Sequence, residues 1–161
     1  MYRVSDVCRL VIDYSNEMNY GISNLKLQKI LYLIQAYFLS KSSHRCFDER
    51  IEAWDFGPVV PKAYREYKQY GGGNIPSTHY PVKPEHRIRR LFSVGKDKTY
   101  SISEDDQERI KQVIDAFSDY TAADLVRLTH NQKPWKSAYD LGRNSEIKVN
   151  DIAEYFNAGN K

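Results

Sequence analysis

Apolar residues recur with a helical period along the first forty positions. Val7, Leu10, Val11 and Tyr14 share one face after Ser5, a residue able to cap a first turn, and Gly21 breaks the pattern. A second run follows Ser23. Leu27, Ile30, Leu31, Ile34 and Phe38 form its stripe, and Leu33 and Tyr37 widen it until little polar circumference is left. That breadth predicts a central helix. Residues 41–60 read as a loop with one short extended piece near Ile51 to Phe56, ended by Pro58. Pro61 suits a first helical turn, where its missing N–H needs no partner. Ala63, Tyr64 and Tyr67 continue that helix to Tyr70, and Gly71 can cap it in the left-handed region.

The second half is patterned more weakly. Residues 71–84 form a turn-rich linker, and residues 91–102 read as a small β-hairpin turning at Gly95. Ser103 opens a helix running to about Tyr120, with Glu104, Asp105 and Asp106 where the helix dipole favours acids. Thr121 and Asp124 stand at capping-box spacing before another helix. Pro134 begins a short one through Trp135, Ala138 and Tyr139, and Asn150 caps a last one ended by Gly159. The expected fold is mainly α: a single compact domain of six or seven helices spanning residues 1–161, with at most a small hairpin near 91–102.

Composition changes this picture in two respects. Tyrosine is abundant, with 13 Tyr against 6 Phe and 2 Trp. Tyr joins a large apolar face to a hydroxyl, which suits semi-buried positions and partner surfaces alike. The net charge of +3 is small but uneven. Lys83, Arg87, Arg89, Arg90, Lys96 and Lys98 cluster within 83–98 against only Glu85 and Asp97. Cys8 and Cys46 lack metal-ligand spacing and read as reduced thiols. The most apolar stretch, ILYLIQAYFL, falls short of the ~18 residues of a membrane span, and no signal-peptide core opens the chain. A cytoplasmic protein is expected.

Candidate chemistry is sparse. His44, His79, His86 and His130 form no spaced metal pair. Gly71, Gly72 and Gly73 end a helix and precede no GK[ST], so they are no phosphate loop. No serine or cysteine sits in a nucleophile motif. The chain is therefore expected to be no enzyme and to need no metal or cofactor. A nucleic-acid reading competes: two helices joined by a short turn, then further helices and a basic hairpin, follow a winged-helix order. Arg87, Arg89, Arg90, Lys96 and Lys98 would then touch phosphates. Against it, the second helix offers only Lys26, Gln28 and Lys29 for reading bases.

Three segments carry a resemblance. ISNLKLQKILYLIQAYFL (22–39), FDERIEAWDFGPVVPKAYREYKQYG (47–71) and LTHNQKPWKSAY (128–139) stand in this order and together resemble the Panacea domain. This is the SocA-like antitoxin domain, also found in phage-associated proteins called GepA. The matching positions are Leu25, Lys26, Leu27, Gln28, Lys29, Tyr32 and Gln35; Glu52, Ala53, Trp54, Gly57, Pro58, Val59, Pro61 and Tyr64; and Leu128, Thr129, His130, Pro134 and Trp135. The resemblance implies an antitoxin that neutralises a cognate toxin, encoded by an adjacent gene, through direct binding. Delivery of the toxin to the ClpXP protease is a further route it implies.

The residues suggest where such binding would sit. Gly57 and Pro58 make a stiff corner expected to aim Trp54 and Phe56 at the domain and to set the helix that starts near Pro61. Trp135, with His130 and Pro134, is the expected packing partner of that corner. Gln28, Tyr32 and Gln35 share one side of the second helix. They either hydrogen-bond the corner backbone or, with Lys26 and Tyr64, line a groove for a toxin segment. A buried Trp54 implies a loss of roughly 3–5 kcal/mol on Trp54→Ala.

Overall fold

The computed structural model describes residues 1–42, 44–77 and 101–159. Seven α-helices and a three-stranded sheet are present among them. In chain order these are α1 (Val4–Glu17), α2 (Asn24–Lys41), β1 (Glu52–Trp54), β2 (Gly57–Val59), α3 (Pro61–Tyr67), α4 (Glu104–Ala116), α5 (Ala122–His130), α6 (Lys133–Leu141), β3 (Ser145–Glu146) and α7 (Val149–Asn157). A 3₁₀ turn, Lys68–Tyr70, prolongs α3. The fold is mainly α.

Helix α2 is the hub. It packs against α1, α3, α4, α5, α7 and strand β2, and 14 of its 18 residues are buried. A helix enclosed on so many sides must be apolar nearly all round, which its broad stripe foretold. Leu27, Leu31, Ile34 and Phe38 are fully buried, joined by Val7 and Val11 of α1, Ile110 of α4 and Ile152 of α7. Both cysteines lie in this core. Burial pushes the Cys46 thiol up to about 12 and the Cys8 thiol well above its ordinary value.

Several helix ends follow the sequence. The Ser23 and Ser103 side chains accept from the backbone N–H of Lys26 and Asp106, and Thr121 and Asp124 complete a reciprocal capping box. Others do not. Arg3, not Ser5, takes the N-cap of α1, and the Val4 N–H donates to the Glu49 carboxylate, 3.3 Å away. A carboxylate from the 41–50 loop thus replaces a local cap. Lys148, not Asn150, precedes α7, and α4 stops at Ala116 instead of Tyr120.

The sheet departs further from expectation. Pro58 does not end an extended piece; it lies within β2, paired opposite Ala53. β2 is an edge strand of the order β2-β1-β3, where a residue without an N–H breaks no ladder. β3 docks from far along the chain: Asn144 donates to the Ala53 carbonyl at 3.1 Å and Ile147 to that of Ile51 at 2.8 Å. Residues 91–100 of the expected hairpin lie outside the described residues, as do Arg87, Arg89, Arg90, Lys96 and Lys98. No described helix is long and apolar enough to cross a membrane.

Candidate functional site: a hairpin held by its backbone

The β1–β2 hairpin turns through Asp55 and Phe56, with Trp54 opposite Gly57. Neither turn residue takes a positive φ; Gly57 does, at +99°. Gly57 is needed for a second reason. A Cβ there would lie 2.7 Å from Lys29 Cε and 2.9 Å from Thr129 Oγ1, well inside contact distance.

Lys29 is therefore part of the corner. It is fully buried, and its ammonium donates to the Pro58 carbonyl at 3.1 Å. No carboxylate pairs with it among the described residues. Burial pushes its pKa down to about 7. One helix position earlier, Gln28 Oε1 accepts from the Val60 N–H at 3.0 Å, while its amide donates to Asn24 Oδ1 at 2.9 Å. Asn24 in turn donates to the Tyr64 carbonyl at 3.2 Å. Gln35 does similar work two turns on. Its Oε1 accepts from the N–H groups of Cys46 and Phe47, and its amide donates to the Phe47 carbonyl at 3.0 Å.

The other wall is aromatic. His130, at the end of α5, stacks on Trp135 at 4.0 Å, and Trp135 stacks on Tyr139 at 4.6 Å. The indole Nε1 of Trp135 donates to the Trp54 carbonyl at 3.1 Å. Tyr139 donates to Asp55 Oδ1 at 2.9 Å, and Arg143 pairs with Asp55 Oδ2 at 2.6 Å. These two donors hold the Asp55 carboxyl below its ordinary range. His130 is also lowered, by burial first and by the Lys29 charge second, with the Asp55 backbone opposing. Its Nε2 is buried without a hydrogen-bond partner among the described residues, as is Gln132 Oε1.

The hairpin thus has its Trp54 and Pro58 carbonyls bonded by side chains of two different helices, while its turn side chains face outward. Phe56 is 68% exposed, which corrects the expectation that it points into the domain. Trp54 is only half-buried, and its ring meets Tyr64 edge-on at 4.9 Å. Its Nε1 donates to Glu52 at 2.8 Å, and Glu52 pairs with the exposed Arg50.

The proposed groove residues are placed differently. Gln28, Tyr32 and Gln35 are buried, so no partner can reach them in the folded chain. The Tyr32 hydroxyl has no hydrogen-bond partner among the described residues, and its ring lies edge-on to Phe156 of α7 at 6.2 Å. Lys26 is buried and donates to the Ser118 carbonyl at 2.9 Å, with burial lowering its pKa. Tyr64 alone of the five is only half-buried. Pro61 and Pro134 sit in the first turns of α3 and α6, which aim these helices at the corner. The sequence reading missed Asp55, Tyr139, Arg143 and the structural part of Lys29. For Lys29 a signal existed: a lysine within LQKIL (27–31), between Leu27 and Ile30, in a helix meant to be enclosed.

A cavity of about 420 Å³ opens elsewhere, between Tyr20, Lys26, Asn74, Asp119 and Thr121. Its lining contains no histidine or cysteine. No group of three or more His, Cys, Asp or Glu residues suited to a metal occurs among the described residues.

The body is mainly helical, grips one hairpin and leaves the aromatic tip of that hairpin exposed. Residues 27–136 match the family described as antitoxin SocA-like, Panacea domain, and the chain belongs to that family. It is also similar to "Antitoxin SocA" of Caulobacter vibrioides (strain NA1000 / CB15N), with 29% identity over 130 residues. That match covers 80% of this chain and 66% of the relative. No solved structure matches. The matched stretch is less than two thirds of that relative's length.

Proposed function

We propose that this chain neutralises a cognate toxin, encoded by an adjacent gene, by covering it directly, and that it performs no bond-making or bond-breaking of its own. The observation that carries this reading is the family match across most of the chain, from the hub helix to Trp135. The physical layout agrees with it. The Gln28 amide oxygen and the Lys29 amine are spent on the corner backbone, and Lys29 is sealed from solvent. What remains accessible is shape, aromatic surface and arginine, the composition of a binding face.

Co-expression with the product of the adjacent gene tests the proposal. The chain is expected to restore growth that this product arrests, and the two are expected to co-purify in fixed stoichiometry. A toxic neighbour that neither binds nor is neutralised would refute it. The route is separable in the same cells. Direct covering leaves the toxin at constant abundance, whereas delivery to ClpXP would shorten its lifetime in a protease-dependent way.

A further inference from the structure

One of the side chains that hold the hairpin can change its charge. Lys29 is fully buried, and its nitrogen donates to the Pro58 carbonyl at 3.1 Å. Strand β2 lies directly on it: a Cβ at Gly57 would stand 2.7 Å from Lys29 Cε and 3.3 Å from its Nζ. Thr129 of α5 closes the same space, with Oγ1 2.9 Å from that position. The threonine is neutral and donates to the Leu125 and Val126 carbonyls of its own helix.

Nothing that faces the amine neutralises a proton on it. β2 offers backbone alone. α5 offers Thr129 and His130, and the imidazole is lowered by burial and then by the Lys29 charge, so it stays neutral. The two hairpin carboxylates are engaged elsewhere, Asp55 by Tyr139 and Arg143, and Glu52 by Trp54 and Arg50. Burial is the cause of the lowered Lys29, and no charged group among the described residues offsets it. An ammonium without a carboxylate is costly in an apolar interior and cheap in water. The cover over it is held by bonds that water can replace: Lys29 and Gln28 on Pro58 and Val60, Trp135 on Trp54, and Tyr139 and Arg143 on Asp55. Lifting the hairpin exchanges these bonds for bonds to water and hydrates the ammonium.

We propose that the β1–β2 hairpin is a proton-operated latch, in which uptake of one proton by Lys29 goes with lifting of the hairpin off the Lys29 side chain while the backbone of α2 stays enclosed by its helices. The latch is a property of the fold and holds whatever the chain covers. It puts the position of the exposed Phe56 tip under the control of pH. The sign follows from the amine, which burial takes from 10.5 down to about 7. The closed hairpin is favoured most above that interval, is weakened as pH falls through it, and is weakened no further below about pH 7.

Hydrogen exchange on the full chain between about pH 9 and pH 6, corrected for the intrinsic rate at each pH, tests the latch. The reporters are the Val60 amide, which donates to Gln28, and the Trp135 indole N–H, which donates to the Trp54 carbonyl. The amides of Ile30 to Phe38 are the reference. Both reporters are expected to be at least about tenfold less protected than the reference. Their protection should fall by up to about tenfold per pH unit down to about pH 7 and then level off. Lys29→Met is expected to keep the helical circular dichroism and lose this slope, and His130→Gln to retain it. Reporter protection in wild type that is independent of pH, or equal to that of the reference, overturns the latch. Those outcomes are read on wild type alone and decide the matter even where Lys29→Met fails to fold. A slope that survives in a folded Lys29→Met overturns it as well, because another group would then be taking up the proton.

Discussion

At the scale of single residues, Lys29 has the sharpest consequence. Its amine has one carbonyl for company, and its pKa falls from 10.5 to about 7 on folding. Between those values the unfolded chain holds a proton on Lys29 that the folded chain has released. Stability therefore rises with pH across this window and is lowest below about pH 7, with a slope of up to about 1.4 kcal/mol per pH unit. Buried tyrosines and cysteines raised by burial act in the opposite sense at the alkaline end, so the comparison must be made against Lys29→Met. Urea melts from pH 6 to 10 should show wild type gaining on that variant as pH rises. Parallel curves would mean that Lys29 stays protonated in the fold. Gly57 gives a second test. Gly57→Ala forces a side chain onto φ +99° and into Lys29 and Thr129, and should cost at least about 1–3 kcal/mol. Gly71→Ala meets no atom within 4 Å, so only its backbone, at φ +54° and ψ −128°, resists the change, at about 1–3 kcal/mol.

At the scale of elements, the hairpin depends on α6 more than on its own tryptophan. Trp135 is buried, stacked on both sides and bonded to the hairpin backbone. Trp135→Ala should therefore cost roughly 3–5 kcal/mol. Trp54 is half-buried, so Trp54→Ala should cost clearly less, and a thermal melt of the pair gives the order. The half-burial of Trp54 places its loss below the roughly 3–5 kcal/mol of a core tryptophan. The helices themselves were legible: the α2 stripe, the Ser23, Ser103 and Thr121 caps, and the prolines opening α3 and α6 are local signals with local causes. The sheet was not. β3 is two residues long, and its pairing with β1 spans about ninety positions, so nothing near Ser145 announces it. The clamp on Asp55 was hidden for the same reason, because Tyr139 and Arg143 meet it only once α6 has docked. The polar face of α2 was visible, but not whether bonds or a partner would use it. That depended on whether the segment after β2, helix α7 and the loop at Cys46 and Phe47 would close over Gln28, Tyr32 and Gln35 respectively.

At the scale of the molecule, enclosure of α2 by five helices and a strand implies that no partial opening exposes it. Amide exchange at Ile30 to Phe38 should occur only through global unfolding, with protection equal to the full stability, while amides of α3 and the α5 start exchange through smaller openings. Exchange from α2 well below the global value would show that α7 or α4 detaches alone. The basic 83–98 segment, on which the nucleic-acid alternative rests, lies outside the described residues, and nothing in the described residues favours that alternative.

The two thiols have a practical consequence. Cys8 and Cys46 are the chain's only cysteines, and both are sealed away and held in the protonated form, which neither alkylates nor oxidises readily. A cysteine introduced at position 56 would thus be the sole reactive sulfur on the folded protein. Maleimide dyes, spin labels or disulfide traps would address the turn alone, without first deleting the natural pair.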